Sequence, residues 1–131
     1  MSKTLLLLLL LFSFYSCEAV NGNRVFEIAQ SNTDLEVRAG EVFGLKFHSN
    51  PSTGYSWHFL NQEENDETIK FIETKFVNPY DKQIIGKGGL LYYYFKALKV
   101  SNEEITLKFS YSRSFKNDNP AATHLIKIKV Y

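Results

Sequence analysis

From Ile105 to Tyr111 the chain alternates without a break: Ile105, Leu107, Phe109 and Tyr111 are apolar or aromatic, and Thr106, Lys108 and Ser110 between them are polar. A side-chain period of two belongs to a strand with one face in a core and the other in water, and no helix can bury it. His124–Tyr131 repeats the pattern, with Ile126, Ile128 and Val130 set against Lys127 and Lys129. Phe43, Leu45 and Phe47 face away from Lys46 and His48, Trp57 and Phe59 open another strand, and Ile69 and Phe71 the next. Leu91, Tyr93, Phe95 and Ala97 share a face, while Val25–Ile28 and Leu35–Val37 read as shorter strands near the start. Past Ala97 the apolar phase slips to Leu98 and Val100, which predicts a β-bulge or a change of sheet. Beyond the leucine run at the start of the chain, no stretch shows apolar residues at i, i+3, i+4 and i+7 over three turns.

Seven to eight short antiparallel strands follow from this reading, with plain turns at Asn32–Asp34, Ala39-Gly40, Asn61–Asp66 and Ser101–Glu104. Strands at that spacing without helices predict an all-β sandwich in which each strand buries one face. The chain has a single cysteine, Cys17. No disulfide can form within it, which argues against a bridged immunoglobulin domain and leaves an unbridged, immunoglobulin-like sandwich open. The core alone must hold the domain together.

Cys17 itself falls in a stretch expected to be removed. Met1–Lys3 is a short basic start, Leu5–Leu11 is a run of leucines, and Cys17-Glu18-Ala19 supplies small residues at −3 and −1. Such a segment is too short to span a bilayer and reads as a cleavable secretory signal, residues 1–19, followed by a single domain at 20–131. A rival reading takes Phe14–Cys17 as a lipobox with Cys17 lipidated. Net charge is +1 with acids and bases interspersed, so there is no phosphate-tracking footprint and no nucleic-acid partner is expected. No second apolar span follows, and no membrane contact is expected after cleavage. The three histidines, His48, His58 and His124, lie in no triad or metal-ligand motif, and no Gly-x-Ser-x-Gly or His-Glu-x-x-His occurs. No enzyme, cofactor or metal is therefore expected.

Three connections differ from plain turns. Asn50-Pro51-Ser52-Thr53-Gly54-Tyr55-Ser56-Trp57 combines a fixed φ at Pro51, an extended Asn50 and a Gly54 free to take positive φ. The Ser52 and Thr53 hydroxyls can bond back to local groups, giving a stiff projecting loop with small side chains at its tip. Ile84-Ile85-Gly86-Lys87-Gly88-Gly89 is glycine-rich and unusually apolar. It is not a phosphate-binding loop, because Asp81 stands where the first glycine belongs and a strand follows. In the third, Arg113-Ser114-Phe115 sets an arginine beside an aromatic just past a strand end, a pairing common at interface hot spots. A hairpin, a flexible connector and an aromatic plug are the respective bland readings.

Taken in order and spacing, these three pieces resemble the chagasin family of cysteine-peptidase inhibitors. The resemblance covers essentially the whole chain after residue 19, and the eight residues from Asn50 to Trp57 are its specific part. Arg113-Ser114-Phe115 departs from the family's usual Arg-Pro-Trp. The resemblance implies an immunoglobulin-like antiparallel β-sandwich whose three loops enter the cleft of papain-like peptidases of cathepsin L or cathepsin B type. By position, Asn50, Pro51, Ser52, Thr53, Gly54 and Tyr55 would form the central loop, with Thr53 nearest the catalytic pair. Gly86, Lys87, Gly88 and Gly89 would flank it on one side, and Arg113 and Phe115 on the other. Such an inhibitor would act as a monomer.

A second reading is a secreted carbohydrate-binding or adhesive sandwich. Tyr92 and Tyr94 alternate onto one outer face, as a sugar platform requires, although covering sheet surface explains them equally. The signal implies the secretory pathway, then release or delivery to a lysosome-like or phagosomal compartment.

Overall fold

Each alternating segment becomes a strand because its apolar half has somewhere to go. The computed structural model of the chain describes residues 23–78, 88–113 and 119–131. Within them lie β1 (Arg24–Glu27), β2 (Asn32–Val37), β3 (Val42–Ser49), β4 (Ser56–Phe59), β5 (Ile69–Val77), β6 (Gly89–Ala97), β7 (Ile105–Ser112) and β8 (Ala122–Val130). They form two four-stranded sheets, β1-β3-β6-β5 and β2-β8-β7-β4. The all-β sandwich expected from the alternation is the fold observed. The leader and its cleavage point lie outside the described residues.

Four pairings, β3 with β6, β6 with β5, β4 with β7 and β7 with β8, are antiparallel. The other two, each at one edge of its sheet, differ from a wholly antiparallel expectation: β1 runs parallel to β3, and β2 parallel to β8. The chain crosses between sheets at Ile28–Ser31, so β1 and β2 cannot pair with each other. Each instead closes an edge beside a strand reached after a crossover.

Two local expectations are corrected. Asn32-Thr33-Asp34, expected as a turn, is the start of β2 and pairs with Leu125–Lys127. Ladder hydrogen bonds there outweigh the turn preference of Asn and Asp, and the bend falls at Gln30–Ser31 instead. The phase slip after Ala97 is the end of β6, not a bulge: Leu98 N–H donates to the Thr68 carbonyl at 2.7 Å, and Leu98 and Val100 stand exposed. The register shift lies in β5, between Phe71 and Glu73.

The core is aromatic and continuous between the sheets. Phe43, Phe47, Phe95 and Phe109 are fully buried with Leu45, Leu107, Ile126, Ile128 and Val130. The Phe109 ring lies 4.8 Å from Phe47, 5.0 Å from Phe59 and 5.1 Å from Tyr93, centroid to centroid. Tyr93 also ties the sheets by a polar link, its hydroxyl donating to the Trp57 carbonyl at 2.7 Å. Burial pushes the Tyr93 phenol up to about 12, so it stays neutral and keeps its proton for that bond.

The connection after β4 is more than a plain turn. A 3-10 turn spans Gln62–Asn65, and the buried Asn61 before it replaces ladder bonds between the strands. Its amide donates to the Thr106 carbonyl at 2.7 Å and accepts the Lys108 N–H at 2.8 Å. Only a short side chain carrying both donor and acceptor can do this.

Candidate functional site

Strand register brings the three unusual connections to one end of the sandwich. Ser49 at the end of β3 pairs with Gly89 at the start of β6. Ser56 at the start of β4 pairs with Ser112 at the end of β7, and Tyr111 pairs with Ala122 at the start of β8. The connections β3–β4, β5–β6 and β7–β8 therefore leave the fold from a common edge.

The first connection is locked by its own side chains. Pro51–Thr53 forms a single 3-10 turn, entered from Asn50 at φ −122° and left through Gly54 at φ +81°. Thr53 donates its hydroxyl to the Asn50 carbonyl at 2.7 Å and accepts the Tyr55 N–H at 3.3 Å. Ser52 bonds the Asn50 side chain rather than the backbone. Asn50 is fixed from below, its N–H donating to the Tyr111 hydroxyl at 3.3 Å. Pro51, Ser52, Thr53 and Gly54 are exposed, so the tip is both rigid and presented to solvent.

The second connection rests on the first. Gly88 takes φ +66°, and a Cβ there would stand 2.7 Å from the Ser49 carbonyl oxygen and 3.2 Å from the Asn50 Cβ. Its glycine is required by close backbone approach as well as by φ. Gly89 is buried beneath Phe76, whose ring a Cβ would meet at 2.5 Å. Ile84, Ile85, Gly86 and Lys87 lie outside the described residues.

The third connection is joined through rings. The Arg113 guanidinium sits 5.1 Å from the Tyr55 ring, Tyr55 lies 5.5 Å from Tyr111, and Tyr111 lies 5.1 Å from Trp57. Trp57 is anchored by its indole N–H, which donates to the His48 carbonyl at 2.9 Å. This stack runs from the exposed edge into the core, and Tyr111 is the member that sequence reading passed over. Its place at the last inward position of β7, two residues before Arg113, was the available signal. Ser114 and Phe115 lie outside the described residues.

The structure brings Asn50–Tyr55, Gly88, Gly89 and Arg113 together. The three histidines stand apart among the described residues: His48 bonds Glu27 at 3.0 Å on an outer face, His58 approaches the Ser112 carbonyl at 3.3 Å, and His124 is buried. Among the described residues no group of three or more His, Cys, Asp or Glu is placed to hold a metal. Tyr92 and Tyr94 do stack in parallel, 6.0 Å apart. Tyr94 lies against bare Gly44 on the neighbouring strand, where a Cβ would come within 2.9 Å of its ring. Covering that glycine accounts for Tyr94 without a sugar.

His124 gives the end a pH response. Its ring stands edge-on to Trp57 at 4.6 Å and to Phe47 at 6.4 Å, and its Nδ1 meets no hydrogen-bond partner among the described residues. Burial holds its pKa below the usual 6.5, opposed in part by a hydrogen bond to the Gln30 main chain. The unfolded chain thus takes up a proton at about pH 6.5 while the folded one does not, so stability falls as pH drops from there to the folded pKa. Urea midpoints at about pH 7 and pH 5 should differ, and His124→Gln should flatten that difference. Glu41, held low by its bond to Arg24, contributes stability lost only in a lower window, below the ordinary 4.5 of a glutamate.

Residues 36–130 match the family described as Chagasin family peptidase inhibitor I42. The chain belongs to the chagasin family. Its members are peptidase inhibitors and not enzymes, and the matched span includes all three connections at the loop end. The chain is 26% identical over 83 residues to chagasin of Trypanosoma cruzi, covering 62% of this chain and 74% of that protein. Solved structures share the fold of this chagasin-family chain. The cysteine protease inhibitor EhICP2 of Entamoeba histolytica superposes with a TM-score of 0.66 at 20% identity, covering 82% of this chain and 95% of that one. PbICP-C, solved in complex with falcipain-2, gives a TM-score of 0.66 at 18% identity, covering 83% of this chain and all of its own.

Proposed function

We propose that this chagasin-family chain inhibits papain-like cysteine peptidases, of cathepsin L or cathepsin B type, by seating its loop end in the active-site cleft. The observation that carries this reading is the self-locked Asn50–Tyr55 turn, exposed at its tip, held by its own hydroxyl bonds and tied to Tyr111 below. A loop already ordered loses little entropy on binding. Small side chains at Ser52 and Thr53 fit a narrow cleft, and a 3-10 turn offers no extended bond in attack geometry. Gly88, Gly89 and Arg113 stand on either flank, and Gly86, Lys87 and Phe115 extend those flanks in sequence. Three loops can bury a standard interface of about 1,600 Å², enough for nanomolar binding. The resemblance of PbICP-C, solved with falcipain-2, supports the same mode.

We also propose a secretory route, through removal of residues 1–19 and then release or delivery to a lysosome-like compartment where such peptidases work. The basic start, the leucine run and the small residues before Val20 support it.

Titration of recombinant Val20–Tyr131 against papain and a cathepsin L-type enzyme, with trypsin as control, tests the inhibitory reading. Stoichiometric loss of papain-type activity, recovered on dilution and weakened by Thr53→Ala or Gly54→Ala, is the expected result. A folded protein that leaves both thiol enzymes active at micromolar concentration would refute it.

A further inference from the structure

β5 is the last strand of its sheet, and it ends in apolar residues that the core does not use. Phe76 and Val77 are 48% and 44% exposed. They pair with Leu91 and Leu90, so their side chains leave on opposite faces of the sheet at its tip. That tip is the loop end. The Phe76 ring covers Gly89, Gly89 pairs with Ser49, and Asn50 begins the Pro51 turn. Gly88 closes the path by its approach to Ser49 and Asn50. Phe76 and Val77 are therefore continuous with the proposed inhibitory surface, one strand pair away from it.

An exposed edge strand ordinarily carries charge to discourage association, and β5 does so in its middle with Glu73 and Lys75, whose side chains pair at 3.5 Å. The two consecutive exposed apolar residues of β5 lie at its end, where the loops are. Half-exposed aromatic side chains held by neighbours are the residues that anchor interfaces, because they add area at little entropic cost.

We propose that Phe76 and Val77 form a fourth contact of the inhibitory end, an apolar rim that docks on apolar surface along one wall of the peptidase cleft, beside the β5–β6 connection. The proposal rests on the inhibitory reading above and names one further part of the same interface. It makes β5, and not only the loops, a determinant of which papain-like enzymes are bound tightly.

Inhibition constants for Phe76→Ser, Val77→Asp, Ile72→Ser and Gly54→Ala, measured against papain and cathepsin L-type and B-type enzymes, test it. Ile72 is similarly exposed on the same strand at 46%, but lies four positions further from the loops. Phe76→Ser and Val77→Asp should each raise the inhibition constant about tenfold for at least one enzyme, with Ile72→Ser unchanged. Val77→Asp leaves Gly89 covered, so it carries the test should Phe76→Ser melt early. Equal inhibition by the Phe76, Val77 and Ile72 variants, with Gly54→Ala weakened, overturns the rim and leaves the loop reading standing. A change in oligomeric state by light scattering without a change in inhibition assigns the patch to a second copy of this chain and also overturns it. Absence of inhibition by the unaltered folded protein removes both.

Discussion

Phe109→Ala is expected to lower the free energy of unfolding by about 3–5 kcal/mol. Phe109 is fully buried and touches rings from both sheets: Phe47 of β3, Phe59 of β4, and Tyr93 and Phe95 of β6. Its removal leaves a cavity that these rigid rings cannot collapse to fill. No disulfide constrains the unfolded chain, so nothing offsets the loss, and a domain of this size has only about 5–15 kcal/mol to lose. Phe109→Leu, which keeps most of the volume, should cost less than half as much. Urea denaturation of the two variants beside the unaltered protein measures both. A loss under 1 kcal/mol for Phe109→Ala would show that the ring cluster repacks and is not the jigsaw described.

Gly88→Ala is expected to lower stability by about 2–3 kcal/mol and to weaken inhibition at least tenfold. Two effects act together at this residue. The backbone is left-handed at φ +66°, and the new methyl would stand 2.7 Å from the Ser49 carbonyl oxygen and 3.2 Å from the Asn50 Cβ. Relief of that clash must move Ser49 and Asn50, and with them the Pro51 turn. Gly40→Ala separates strain from clash: Gly40 is also left-handed at φ +88°, yet a Cβ there meets no atom within 4 Å. It lies at the other end of β3 from the loops, so about 1 kcal/mol of stability should be lost with inhibition intact. Equal inhibition by the Gly88 and Gly40 variants would mean that the second connection does not support the first.

The sandwich was legible because alternation is a local property with one structural outcome. Ile105–Tyr111, Phe43–Phe47 and Leu91–Ala97 each place their apolar set inward as their period of two requires. The Asn50–Trp57 turn was legible for a similar reason: Pro51, Thr53 and Gly54 act on the chain within three residues of themselves, and the observed φ values and hydroxyl bonds follow. Asn32–Asp34 misled because turn propensity is weak against a full ladder to β8. Leu98 and Val100 misled because an apolar residue in a strand and one on an exposed loop look alike in sequence.

By itself, then, the sequence determined the strand content, the absence of a bridge, the inward faces and the shape of the central turn. Tertiary structure alone decided that β1 and β2 pair in parallel with strands distant in the chain, and that Asn61 substitutes for a ladder across to Thr106 and Lys108. It alone set Gly88 under Asn50, Tyr111 under the Pro51 turn and the Phe76 ring over Gly89. The physical reason is range. Backbone dihedrals and side-chain period are fixed within a few residues, whereas a contact across the sandwich depends on which strands become neighbours, and that is settled by the packing of all their buried faces at once.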